Sequence, residues 1–330
     1  MNSHLIHRVF ESFPNLNALI IGDVMIDAYL FGDVDRVSPE APVPVVSVNK
    51  KENRLGGAAN VALNIKALGA TPILCCVVGN DYNADNFIEL MDLHGLSTEG
   101  IIKDSTRPTT VKTRVISQQQ QMLRIDEEDS TVVDLDITDQ MTSLILEMLG
   151  NKKIDVVIFE DYDKGLITPE LISAVVNKAN ELNIPTSVDP KKRNFAEYKN
   201  VTLFKPNLKE LREGLNIFVE PVDLANLKQG FKNLKDVIQC ENALITLSEL
   251  GMFITNGNEC EIIPAHVRNI ADVSGAGDTV ISVASLSLAA GTDTVFATKL
   301  ANLAGGLVCE KVGVVPIDGE QLKSEALRLS

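Results

Sequence analysis

The stretch Asp155-Val-Val-Ile-Phe159 runs from one acidic residue into unbroken apolar sequence, and the polar loop Glu160-Asp-Tyr-Asp-Lys-Gly165 follows at once. A strand buried on both faces reads as such a continuous apolar run and not as an alternation. A helical pattern then spans Pro169–Leu182, and a second strand is predicted over Pro185–Val188. Strand, helix and strand in this order make a parallel βαβ unit. Polar loops at the carboxyl ends of such strands lie where open α/β sheets bind their ligands.

The same rhythm extends in both directions. Further strands are expected at Ala18–Gly22, Pro72–Gly79, Val201–Phe204 and Ala243–Leu247, with helices at Asn60–Leu68, Asp85–Leu93 and Asn207–Leu215. The pattern specifies an α/β fold with a central, mostly parallel sheet covered by helices on both faces. Two regions break it. Val43–Val48, following Ser-Pro-Glu-Ala-Pro, reads as an extended edge segment, and Thr109–Ile125 as two strands around a glutamine-rich turn. Together they predict a small β-sheet lid built from about residues 36–53 and 109–126. Gly251–Ile263 reads as a hairpin turning at Asn256-Gly257-Asn258, and the chain from Thr279 onward as mostly helical. With no internal repeat and no long linker, residues 1–330 are expected to form one domain.

Composition removes several classes. The 330 residues carry 30 Lys+Arg against 45 Asp+Glu, a net charge of −15, which argues against general binding to nucleic acid or anionic membrane. Aromatic residues are only 5% and Trp is absent, so a base-stacking platform is not indicated. No apolar run approaches the ~18 residues of a membrane span, and the amino terminus lacks a secretory signal pattern. The five cysteines are odd in number and show no CxxC spacing, which points to reduced thiols and a cytoplasmic location.

The strongest chemical signal is Asp272-Val-Ser-Gly-Ala-Gly-Asp-Thr-Val280, which runs into the apolar helical pattern Thr279–Ala290. Gly275, Ala276 and Gly277 thus stand where a loop enters a helix. Free N–H groups and the helix dipole make that point an anion site, and glycine allows close backbone approach. Asp278, in the first turn, reads either as a helix-stabilising charge or as a general base beside a bound phosphoryl group. There is no GxxxxGK[ST] loop, and Val280 stands where a dinucleotide fingerprint needs glycine.

Other motifs admit two readings each. In Arg54-Leu-Gly-Gly-Ala-Ala-Asn60, Gly56 and Gly57 form a tight turn, or a backbone wall for a polyhydroxylated ligand with Asn60 supplying amide hydrogen bonds. In Lys205-Pro-Asn207-Leu-Lys-Glu210, Asn207 and Glu210 spell a capping box, or order the water shell of a Mg²⁺ held by nucleotide phosphates. Asp161 and Lys164 in the first polar loop, and Asp189 and Lys191 in Ser187-Val-Asp-Pro-Lys-Lys-Arg193, are candidates for substrate contact or simply solvated.

In chain order, Gly22-Asp-Val-Met-Ile-Asp27, Gly56-Gly-Ala-Ala-Asn60, Pro206-Asn-Leu-Lys-Glu210 and Ser274-Gly-Ala-Gly-Asp278 resemble the ribokinase-like (PfkB-type) carbohydrate kinases, over nearly the whole chain. Arg36–Val46 (Arg-Val-Ser-Pro-Glu-Ala-Pro-Val-Pro-Val-Val), Gly22–Gly32 and Glu160–Gly165 resemble the heptose-7-phosphate kinases within that family. The resemblance implies an ATP- and Mg²⁺-dependent kinase acting on the anomeric hydroxyl of D-glycero-β-D-manno-heptose 7-phosphate, on the route to ADP-heptose and lipopolysaccharide core precursors. It implies Asp278 as base and Gly275, Ala276 and Gly277 as the phosphoryl hole. Asn207, Glu210, Ser248, Gly251 and Asn302 would lie at the nucleotide, with Glu210 reaching Mg²⁺ through water. Asp27, Gly56, Gly57 and Asn60 would face sugar hydroxyls, and Asp272 matches a position that holds a monovalent cation, K⁺, in some relatives.

The 7-phosphate needs cations, for which Arg36, Lys112, Arg114, Arg124, Lys164 and Lys191 are candidates, Arg114 and Arg124 foremost because two lid strands can bring them together. The lid of relatives often clasps a dimer, so a homodimer is expected. Two-domain relatives add a nucleotidyltransferase domain; no HxGH-type motif occurs, so a stand-alone kinase is expected. Ser274, Asp163 and Lys205 depart from the family pattern, which more often has Thr, a small residue and a small polar residue at these positions. The competing readings are a kinase for another sugar, sugar phosphate or nucleoside, and a sugar-phosphate-binding regulator without catalysis.

Overall fold

The computed structural model describes residues 2–118, 120–220, 223–256, 259–266 and 268–330. In chain order the strands are β1 (Asn17–Gly22), β2 (Val24–Val37), β3 (Pro44–Gly57), β4 (Thr71–Gly79), β5 (Gly100–Asp104), β6 (Val111–Ser117), β7 (Gln120–Glu127), β8 (Val156–Glu160), β9 (Thr186–Asp189), β10 (Leu203–Phe204), β11 (Asn242–Thr246), β12 (Met252–Thr255) and β13 (Cys260–Ile263). The helices are α1 (Ser3–Ser12), α2 (Ala58–Ala67), α3 (Tyr82–Leu93), α4 (Leu135–Asn151), α5 (Pro169–Glu181), α6 (Leu208–Leu215), α7 (Leu224–Ile238), α8 (Ala276–Ala289), α9 (Thr294–Val308) and α10 (Gly319–Arg328).

Nine strands form one sheet in the order β13-β12-β11-β10-β9-β8-β1-β4-β5. Its strands pair in parallel from β11 to β5, and the β12–β13 hairpin closes one edge antiparallel. Along β1, Ala18 and Ile20 turn to a core packed by α1, α2, α3, α8, α9 and α10. Leu19 and Ile21 turn to a second core under α4, α5, α6 and α7. Both faces are therefore covered, as the unbroken apolar runs imply. Among the described residues no helix is long and apolar enough to cross a membrane, and the five cysteines are free thiols.

A separate four-stranded sheet, ordered β3-β2-β6-β7, forms the lid. It begins at Val24, well before residue 36. The first half of β2 is buried where it leaves the main core, so its residues carry no alternation that would mark a strand in sequence. Beyond it, the β2–β3 ladder shifts register between Phe31 and Gly32 and again between Val34 and Arg36. These are bulges, which bend and twist a strand.

Local chemistry explains other differences from the sequence reading. Helix α3 starts at Tyr82 and not at Asp85, because the Asp81 carboxylate accepts the Ala84 N–H at 2.8 Å and caps it. The strand expected over Val201–Phe204 shrinks to β10: Thr186 and Thr202 each donate a backbone N–H to the other's hydroxyl at 3.1 Å, in place of ladder bonds. The sequence reading named no element over α1, β5, α4 or α7. Gly257 and Asn258 of the expected hairpin turn, and Gln119 of the glutamine-rich turn, lie outside the described residues.

Candidate active site

Gly275 is the N-cap of helix α8, and its φ of 77° is the left-handed conformation that favours glycine. The Ala276 N–H donates to the Val273 carbonyl at 3.3 Å, and the next N–H groups of the first turn have no partner within the helix. A Cβ placed on Gly277 would lie 3.6 Å from Asp189 Oδ2 and 3.7 Å from Lys205 Nζ, ordinary contacts that a methyl group can make. Asp278 follows and is buried. Its Oδ2 accepts the Asn60 side-chain N–H at 2.7 Å, and its Oδ1 accepts the Tyr162 hydroxyl at 2.8 Å. Burial pushes this carboxyl up to about 6, against the pull of the Asn60 and Tyr162 bonds; Asp189 adds to the rise and Lys205 opposes it. A carboxylate with a raised proton affinity, fixed on both oxygens beside a helix N-terminus, suits a general base next to an anion site.

The structure gives Asn60 a partner other than a sugar hydroxyl. It is fully buried and donates to Asp278, and its backbone carbonyl accepts from Asn64 at 2.8 Å. Tyr162 escaped the sequence reading, although it lies in the polar loop already marked after β8. That loop is hung on Asp23, whose buried carboxylate accepts the N–H groups of Tyr162, Lys164 and Leu166 at 2.9 to 3.3 Å. Asp161 turns away from Asp278. It is buried and accepts from Asp163 N–H at 2.8 Å, Tyr198 hydroxyl at 3.0 Å and Asn194 at 3.4 Å, so it shapes the loop from below.

Asp189 forms a buried ion pair with Lys205 at 2.6 Å. Burial alone would lower the Lys205 ammonium, but Asp189, Glu210 and Glu160 together hold it above the ordinary lysine range. Asn207 and Glu210 complete the capping box of α6: Asn207 accepts the Glu210 N–H and Glu210 Oε2 accepts the Asn207 N–H, both at 2.8 Å. The other Glu210 oxygen pairs with Lys191, whose Nζ lies 5.5 Å from the Tyr162 ring centroid. The capping and chemical readings of this motif thus share one carboxylate.

A second cluster forms at the root of the lid. Buried Asp27 pairs with Arg114, so its carboxylate is engaged by a guanidinium as well as placed beside Gly56. A Cβ on Gly56 would stand 2.1 Å from Asp27 Oδ2, which explains the glycine. Gly57, with φ of 61°, is the N-cap of α2. The Arg54 and Arg114 guanidinium carbons lie 4.9 and 5.4 Å from the centroid of the Tyr29 ring. Asp272 accepts the Ser274 N–H and hydroxyl on one oxygen and the Gly313 N–H on the other, at 2.8 to 2.9 Å. Burial works against these bonds, and the bonds prevail, holding Asp272 below the ordinary range. Its acceptors are therefore supplied by protein donors.

Arg114 and Arg124 are register partners across β6 and β7, as the two lid strands suggested. Arg124 is exposed and donates twice to Asp126, at 2.8 and 2.9 Å. Lys112 and Lys164 converge on Glu128 at 2.7 and 2.9 Å, joining the lid to the loop after β8. Ser248 and Gly251 stand apart in the turn between β11 and β12, with φ of 54° and 96°. Asn302 on α9 donates to the Pro264 carbonyl at 2.8 Å.

Among the described residues, no three His, Cys, Asp or Glu side chains converge so as to hold a metal ion by themselves. Mg²⁺ is commonly held by one or two carboxylates together with substrate phosphates. Glu210 and Asn207, near the α8 cradle through the Lys205 and Lys191 ammoniums, fit that donor chemistry.

Comparison with known proteins identifies the family and the fold. The family model described as pfkB family carbohydrate kinase matches residues 15–318. "Bifunctional protein HldE" of Magnetococcus marinus is 39% identical over 325 residues, covering 98% of this chain and 66% of that protein. The protein of the same name from Caulobacter vibrioides is 41% identical over 316 residues, covering 94% and 64%. The chain thus spans about two thirds of the length of the curated relatives it matches. Phosphofructokinase-2 from Escherichia coli, solved in complex with potassium, superposes with a TM-score of 0.76 at 15% identity, covering 95% of this chain and 98% of that one. Ribokinase from Arabidopsis thaliana, complexed with ribose and ATP, gives 0.71 at 14% identity, covering 93% and 98%. The fold is ribokinase-like, and the chain belongs to the pfkB family of carbohydrate kinases, which are ATP-dependent sugar kinases.

Proposed function

We propose that this kinase transfers the γ-phosphoryl group of MgATP to the anomeric hydroxyl of D-glycero-β-D-manno-heptose 7-phosphate, giving the 1,7-bisphosphate. The observation that carries the reading is Asp278, buried beside the Gly275–Gly277 helix start with both oxygens oriented by Asn60 and Tyr162. The heptose assignment draws support from the Arg36–Val46 resemblance and from relatives named HldE.

Asp278 takes the proton of the sugar hydroxyl, which is more acidic at the anomeric carbon than in an ordinary alcohol. Asn60 and Tyr162 hold the carboxylate in one orientation, so little reorganisation is needed when it is protonated. The first-turn N–H groups of α8 receive the phosphoryl oxygens. Mg²⁺, when bound, neutralises phosphate charge; Glu210 and Asn207 would hold its water shell. Ser248, Gly251 and Asn302 are assigned to the nucleotide side. The 7-phosphate is assigned to the cations at the lid junction, Arg114, Arg124, Lys112 and Lys164, and Asp27, Gly56 and Gly57 to the sugar. Residues 1–330 work as one kinase unit, and the exposed apolar lid residues Val48, Met122, Leu123 and Ile125 favour a homodimer through the lid.

A coupled ADP-release assay over a sugar-phosphate panel, with ³¹P NMR of the product, tests the reading. A 1-phosphate formed from heptose 7-phosphate is expected; preference for another sugar overturns the substrate assignment. Asp278→Asn is expected to lose on the order of 10³-fold or more in kcat while still binding ATP. Arg124→Ala and Lys164→Ala should raise KM for the phosphorylated sugar about tenfold more than for its unphosphorylated analogue. Equal effects on both would remove these residues from the phosphate site.

A further inference from the structure

Three ionisable groups stand in a row on the sheet face beneath α8. Phe159, Val188 and Phe204 pack into the core on the far face, so the next residue of each strand end, Glu160, Asp189 and Lys205, turns toward α8. Glu160 and Asp189 are register partners across β8 and β9, and the Lys205 N–H donates to the Val188 carbonyl at 2.8 Å, which sets it beside them. Lys205 pairs with Asp189. Glu160 is 1% exposed, and its Oε2 has no hydrogen-bond partner among the described residues. The row thus holds two carboxyl groups against one ammonium. An ionised, unpaired carboxylate oxygen is costly to bury, whereas a neutral carboxyl is far less so.

We propose that Glu160 keeps its proton during phosphoryl transfer and acts as a positioning residue, leaving the floor of the α8 cradle without net charge so that the N–H groups of the cradle donate to the phosphoryl oxygens. The proposal rests on the reading of Gly275–Gly277 and Asp278 given above. Burial, and after it Asp189 and Asp278, push Glu160 well above the ordinary carboxylate range, with Lys205 and Lys191 opposing. The other groups facing this floor are Asp278 on α8, Asp189 on β9, the two lysines, both held above the lysine range, with Glu210 on α6 answering Lys191, and the Tyr162 hydroxyl, pushed up by burial. Rising pH first ionises Asp278, near 6, which activates the base. At higher pH, loss of the Glu160 proton puts a net negative charge under the cradle, and phosphate binding weakens.

The first test is the pH profile of kcat/KM for ATP. In the wild type it should rise on the acid side and fall on the alkaline side. Glu160→Gln, neutral at every pH, should keep the acid limb and stay within about twofold of its plateau where the wild type has dropped about tenfold. An alkaline limb shared by both overturns the proposal. The second test needs no variant: the infrared spectrum of the wild type between pH 7 and 8 should contain the carbonyl band of a protonated carboxylic acid, and its absence overturns the proposal even if Glu160→Gln does not fold. Wild-type protein inactive on every sugar would instead refute the kinase reading, while loss of the infrared band in Glu160→Gln still assigns it to Glu160, and its persistence there overturns the proposal.

Discussion

In the proposed reaction Asp278 works through two hydrogen bonds from residues distant in sequence, Asn60 and Tyr162. A bond to a charged group contributes about 1.5–3 kcal/mol, and about 1.4 kcal/mol shifts a pKa by one unit. Asn60→Ala should therefore move the acid limb of kcat upward by about one unit or more from its position near 6. The sign follows from the loss of a donor that favours the ionised form. Tyr162→Phe should act in the same direction, and an unmoved limb in both variants would show that neither bond tunes the base. Gly277→Ala offers a different separation, because its methyl group meets only ordinary contacts at 3.6 and 3.7 Å. The variant should fold with a Tm within a few degrees of wild type and lose about a hundredfold in kcat/KM for ATP. The helix start and Asp278 were legible because glycine spacing, loop and apolar helix adjoin in sequence. The bond from Asn60 was not, since nothing in the local pattern marks which way an amide points across 218 residues.

At the level of elements, the α6 capping box joins a structural role to the site. Asn207→Ala removes the acceptor of the Glu210 N–H and should lower unfolding stability by about 1 kcal/mol in urea denaturation. Because Glu210 also pairs with Lys191, the same variant should raise KM for MgATP. A stability loss with unchanged kinetics would confine the motif to capping. The lid makes a separate prediction. Leu123→Lys with Ile125→Lys should shift sedimentation velocity from dimer to monomer, since both residues are exposed on β7; an unchanged sedimentation coefficient would remove the lid from the interface. Strands buried on both faces were readable as apolar runs. The lid's true start was not, because the buried half of β2 has no alternation, and β10 was overestimated because threonine hydroxyls stand in for backbone partners.

For the whole molecule, a net charge of −15 surrounds a site that binds phosphates. The field repels anionic ligands at long range, and salt screens it over about 10 Å at 0.1 M. kcat/KM for the sugar phosphate should therefore rise as salt is added from low ionic strength; a monotonic fall would mean that the local cations dominate even at a distance. Composition argued against nucleic acid and general membrane binding but could not locate these cations: Arg114, Arg124 and Lys112 gain their partners when the lid strands pair, and Lys164 when the lid meets the body. The two sheets meet along β2, which leaves the main core buried and becomes exposed beyond the register shifts at Phe31–Gly32 and Val34–Arg36. Asp27 lies on the core side of both shifts. Flexing of the outer lid would thus be absorbed at the bulges, like a door bending at its hinge while the jamb stays true, so the lid can open for substrate exchange without retuning the geometry at Asp27.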